Sequence, residues 1–144
     1  MAEPWAPSLV EVGARIPTRT RSQANPGDDS VLGTFTTETV PTAAQVQPII
    51  DGAVASVRHA VGTVTAPLYE LAKDAAAWRA AADVELAWPE RDADIREVYD
   101  RLNARATLAL KALTDASQDS GTGADATMPV WAFPTPVPWG DDLL

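Results

Sequence analysis

The sequence predicts a mainly α-helical protein: a small three- to four-helix bundle that carries a long loop with a short β excursion and an extended C-terminal arm. Three observations predict it. Apolar residues recur at intervals of three and four in three separate stretches, the period of a single helix face. Each stretch is punctuated by proline, glycine or a capping residue where a helix starts or stops. After Ala116 the periodicity gives way to Ser, Gly and Asp, and then to alternating prolines and large apolar residues that no regular helix accommodates.

The first element follows Ser8-Leu9-Val10-Glu11, where serine and glutamate have the spacing of a capping box. A short helix over about 9–15 is expected, stopped by Pro17. The segment from Arg15 to Arg21 is the most basic stretch of the chain, and its arginines read either as a solvated turn or as contacts to a partner. Arg15, Arg19 and Arg21, with Phe35 from the next segment, are therefore candidate contact residues. Residues 22–30 hold Asn25, Pro26 and Gly27 among aspartates, which is loop chemistry. Residues 31–40 are rich in threonine and β-branched side chains and predict one short extended segment, closing a loop and strand excursion over 22–40. A lone strand is unstable, so it calls for a hairpin partner or a neighbouring subunit.

The helices come next. Thr42 and Gln45 repeat the capping-box spacing, and Val46, Ile49, Ile50, Ala53, Val54, Val57, Ala60 and Val61 mark one apolar face of a helix over about 43–61. Pro48 lies past the first turn, costs a backbone hydrogen bond and predicts a local kink; Gly62 supplies the stop. His59 reads as a surface or packing residue. Pro67 suits the start of a second helix over about 68–88, whose buried face is expected at Leu68, Leu71, Ala72, Ala75, Ala82 and Leu86, flanked by Trp78. Trp88-Pro89 ends it. Asp92 is a plausible N-cap for a third long helix over about 93–115, with a stripe of Ile95, Val98, Tyr99, Leu102, Ala106, Ala109, Leu110 and Leu113. Arg101 and Arg105, four apart, repel each other on its solvated face.

The chain thus divides into a helical domain over 1–116 and, over 117–144, a flexible linker leading to an extended arm rich in Pro and Trp. Leaving Met128, Val130, Trp131, Phe133, Val137 and Trp139 in water would cost about 1.5 to 3 kcal/mol for each large side chain. These six are the candidate partner-binding residues; the alternative is an arm that folds back and completes the small core.

Composition narrows the chemistry. The chain has no cysteine and one histidine, so no thiolate site, disulfide framework or multi-histidine metal site can form. A net charge of -9 repels nucleic-acid phosphates. No apolar run approaches the roughly 20 residues needed to span a bilayer, and the first residues lack the order of a signal peptide, so a cytoplasmic, membrane-free protein is expected. Asp83, Glu85, Glu90, Asp92 and Asp94 are close in sequence, but a charged helix junction explains them more simply than paired catalytic carboxylates. There is no phosphate loop or nucleophile elbow. The expectation is a protein that is not an enzyme and holds no cofactor or metal.

The order of parts resembles the adaptor subunits of the head-to-tail connector in long-tailed bacteriophages, especially those of actinobacteria. A leading Pro7-Ser8-Leu9-Val10-Glu11-Val12 helix and a Thr/Arg-rich segment precede Thr34-Phe35-Thr36-Thr37-Glu38-Thr39-Val40-Pro41-Thr42-Ala43-Ala44-Gln45-Val46. Then come Ile49-Ile50-Asp51-Gly52-Ala53-Val54-Ala55-Ser56-Val57, the alanine-rich Leu71-Ala72-Lys73-Asp74-Ala75-Ala76-Ala77, Glu85-Leu86-Ala87-Trp88-Pro89-Glu90, and a final helix from near Asp94. The resemblance covers about Pro7 to Thr114. It implies a virion protein, assembled in the host cytoplasm, whose identical subunits form a twelve-fold ring. Its partners would be the portal protein and a downstream connector, stopper or tail protein, with DNA present only as the genome in transit. The arm suits portal docking, although it matches no family motif residue by residue. The competing reading is a small helical regulatory module whose arm engages one soluble partner; a DNA-binding regulator would rest on Arg15, Arg19 and Arg21.

Overall fold

A computed structural model describes residues 3–21, 33–89 and 95–122. The described part is mainly helical, with a short helix α1 (Leu9–Gly13), two helices of equal length, α2 (Ala43–Val61) and α3 (Tyr69–Ala87), and a long α4 (Ile95–Thr122). Helix α3 is the centre: α2, α4 and α1 all pack against it. The expected N-cap Asp92 and the arm residues lie outside the described residues.

Local chemistry explains the boundaries. At α1, Ser8 N donates to the Glu11 carboxylate at 2.7 Å and Glu11 N donates to Ser8 Oγ at 3.2 Å, the reciprocal cap read from sequence. The helix ends at Gly13, and the chain tightens into a 3-10 turn, Pro17–Thr20, instead of continuing to Arg15. Thr42 N donates to Gln45 Oε1 at 2.9 Å to open α2. Gly62 closes it at φ 76°, with its N–H donating to Arg58 O at 2.8 Å. Pro48 lies inside α2, where it removes the N–H that the carbonyl of the exposed Ala44 would otherwise accept from. A 3-10 turn, Ala66–Leu68, delivers Pro67 ahead of α3.

Two sequence expectations need correction here. No strand occurs among the described residues of 22–40. Residues 33–41 are instead wound by threonine side chains: buried Thr39 accepts from Thr36 N at 3.0 Å and donates to Pro41 O at 2.8 Å. Such local bonds compete directly with a sheet ladder. The second correction concerns the boundary at 117. Helix α4 runs on to Thr122, because an established helix adds residues cheaply; within it Thr114 and Ser117 donate their hydroxyls to the carbonyls of Leu110 and Thr114, at 2.9 and 2.8 Å.

The core is uneven in kind. Helix α2 contributes Val46, Ile50, Ala53, Val54 and Val57, and α4 contributes Leu102, Ala106 and Leu113, each a stripe of the predicted period. Helix α3 buries Ala72, Ala75, Ala76, Ala77, Ala80, Ala81, Ala82 and Val84, which lie on nearly every side of it. Leu71 and Leu86, expected on a buried face, are 38% and 54% exposed. They fall in the first and last turns of α3, whereas the fully buried side chains of its middle turns are alanines. The segment before α1 inserts Trp5 into the same core at 1% exposure.

Candidate functional site

The sequence singled out Arg15, Arg19, Arg21 and Phe35 as contacts to another molecule. Structure spends three of them internally. Glu11, Arg15 and Arg19, each four residues apart, run alongside α3 in the same chain direction and meet Lys73, Asp74 and Glu85 in turn.

Arg19 makes the deepest of these contacts. Its Nε donates to Glu85 Oε1 at 3.0 Å and an amino nitrogen donates to Oε2 at 2.6 Å, a two-pronged pair with both side chains about nine-tenths buried. The fork of guanidinium against carboxylate is the arrangement that lets two charges leave water together. Arg15 is held from three directions. Its guanidinium donates to Glu11 O at 2.6 Å, pairs with Asp74 and lies 5.0 Å from the centre of the Trp78 ring. Phe35 is 3% exposed and belongs to the core, which corrects its assignment as a contact residue. Arg21 alone of the four is exposed. The arm residues Met128, Val130, Trp131, Phe133, Val137 and Trp139 lie outside the described residues.

Electrostatics along this seam is tuned by the caps. The backbone N–H of Ser8 holds the Glu11 carboxyl below its usual range, against the opposing effect of partial burial, and Lys73 adds to the lowering. Lys73 is raised, chiefly by its hydrogen bond to Glu70 at 3.1 Å and further by Glu11 at 3.6 Å. A further ion pair, Arg58 to Glu3 at 2.8 Å, ties the start of the described chain to α2 beside Trp5. Gly13 marks the closest approach: a β-carbon there would sit 2.8 Å from Thr20 Cγ2 and 3.3 Å from Gly33 O, where Gly33 N donates to Thr20 Oγ1.

Among the described residues these pairs hold α1 and the turn after it against α3. Two clefts, of about 70 Å³ beside Trp5 and Arg58 and about 50 Å³ between Arg79 and Leu110, are far below the roughly 300 Å³ at which small-molecule pockets begin. Among the described residues no group of three His, Asp or Glu side chains is placed to hold a metal ion. No described helix is long and apolar enough to cross a membrane. The described residues also present outward apolar surface: Val10, Val40, Leu71, Leu86 and Leu108 are exposed, Leu108 most of all at 63%. Leu108 was not singled out from the sequence, although it alone among the leucines of α4 lies opposite the buried stripe, which was the signal available. The partners of Arg15 and Arg19 had no such signal, since Asp74, Trp78 and Glu85 stand more than fifty positions away. Comparison of the chain with protein-family models, with curated proteins and with solved structures finds no match.

Proposed function

We propose that the chain is a structural virion protein of tailed bacteriophages, a head-to-tail adaptor whose copies form a ring joining the portal to the next connector or tail protein around the DNA channel. The observation that carries this reading is the order of parts. The Pro7–Val12 stretch leads into α1, Ile49–Val57 lies within α2, Leu71–Ala77 lies within α3, Glu85–Trp88 closes α3, and the last helix begins just after Asp94. Leucines left in water at both ends of α3 and on α4 add support, because burial against identical neighbours would remove them from solvent. An acidic balance suits a wall past which a duplex must slide. Internal use of Arg15 and Arg19 also disfavours a DNA-binding regulator.

Light scattering coupled to size exclusion, on the chain mixed with a tailed-phage portal protein, tests the reading. A large complex of many copies is expected; a monomer that ignores the portal argues for the single-partner module instead. Deleting Met128 to Leu144 is expected to abolish portal binding while leaving the helical circular dichroism of α1 to α4 in place. Undiminished binding by the truncated chain removes the arm from the function.

A further inference from the structure

The outward side of α4 and the chain beyond it are complementary in charge and in apolar character. Arg101, Ala104, Arg105, Leu108, Lys111 and Ala112 are all exposed, and at 100° per residue they fall within an arc of about 120°. Leu108 sits at the middle of this face with an alanine four residues to either side. From Arg101 to Thr114 the only charges are basic, with Glu97 and Asp115 on the same side as the boundaries. Lys111 pairs with Asp115 at 2.6 Å, whereas Arg101 and Arg105 make no ion pair among the described residues. In a chain of net charge -9 this is an unusual surface, a leucine ringed by cations.

Residues 123–144 have the opposite character. They hold Asp125, Asp141 and Asp142, no Lys or Arg, and the aromatic side chains Trp131, Phe133 and Trp139. We propose that the outward face of α4 is the docking site of the chain's own residues 128–142, which fold back onto it in the free subunit. Reach permits it. Trp131 is nine residues past Thr122, about 30 Å of extended chain, and Leu108 is fourteen residues back, about 21 Å of helix. A returning tail runs antiparallel to α4, which carries Asp141 and Asp142 toward Arg101 and the positive end of the helix dipole. Indole rings laid on Arg101 or Arg105 repeat a contact the chain already makes between Arg15 and Trp78. Of the other exposed leucines, Leu71 has Glu70 paired with Lys73 and Asp74 paired with Arg15 beside it, and Leu86 follows Asp83 and Glu85, so neither stands among unpaired cations. Parking keeps the tryptophans out of water until a partner competes for them. The proposal does not depend on the ring reading, whose test is complex formation with the portal.

Because the chain has no cysteine, a nitroxide at A112C labels one site in the full-length, ¹⁵N-labelled protein. The indole N–H signals of Trp131 and Trp139, assigned by single Trp→Phe substitution, are expected to lose more than half their intensity. Adding R101E, R105E and L108Q should restore them, with circular dichroism verifying the helix. D141N with D142N, which leaves α4 untouched, should restore them in part. Full-intensity indoles in the parent, or attenuation indifferent to both sets of substitutions, overturns the proposal. Attenuation that persists in full when the nitroxide is on ¹⁴N copies mixed with unlabelled ¹⁵N copies places the tail on a neighbour and overturns the fold-back.

Discussion

Two pairs of arginines in this chain have the same spacing and opposite fates. Arg15 and Arg19, four residues apart beside a proline, are drawn against α3 and lose most of their water. Arg101 and Arg105, also four apart on a regular helix, remain exposed. Local sequence does not separate them. The difference lies in what faces each pair: Asp74, Trp78 and Glu85 stand along the side of α3 that α1 and its following turn cover, while Arg101 and Arg105 are exposed and meet no carboxylate among the described residues. A cluster of bases is thus a statement about a helix surface only after the opposing element is known.

The comparison is broken most directly at Glu85. Glu85→Ala removes the carboxylate that meets the buried Arg19 guanidinium on two prongs, and a loss of about 3 to 5 kcal/mol in urea unfolding is expected. Arg19→Met combined with Glu85→Leu removes both charges and should recover most of that loss, whereas additive single effects would mean the pair is not buried together. Arg15→Ala gives up the Trp78 stacking and the Asp74 pair, for an expected cost of about 1 to 2 kcal/mol, and tryptophan fluorescence should report the change at Trp78. Ser8→Ala, which removes the cap that starts this seam, is expected to cost about 1 kcal/mol. The same cap sets a pH signature. Glu11 is held low in the folded chain, so its contribution is present above the ordinary glutamate range and is lost as pH falls through and below it. Glu11→Gln should therefore flatten the acid limb of a stability profile and leave neutral-pH slopes alone. The smallest effect belongs to the other pair: Arg101→Ala and Arg105→Ala should each stay within about 0.5 kcal/mol of the parent.

Much of the helical frame was legible from sequence because periodicity and caps are local. The stripes of α2 and α4, the Ser8 and Thr42 caps and the Gly62 stop all lie where residues within four positions decide the outcome. What was not legible depended on distant chain. Phe35 reads as loop until the core that receives it is assembled. Leu71 and Leu86 fit a helical stripe, yet coverage of α3 ends before it reaches them. Over 33–40 no strand forms beyond a single bridge residue at Thr39, and Thr36 and Thr39 satisfy their own backbone locally. The candidate site was the least legible part, since the same arginines that advertised a contact were already committed to Asp74 and Glu85.

The methyl-lined interior of α3 has one more consequence. Alanine has no rotamer freedom to surrender, so this helix is ordered without side-chain entropy loss, but it also has almost nothing to trim. Injury to its middle turns therefore comes from enlargement, and injury to the valine, isoleucine and leucine stripes of α2 and α4 comes from shortening. A scan of every substitution should draw two opposite size profiles in one small bundle, with the axis intolerant of bulk and its flanks intolerant of loss.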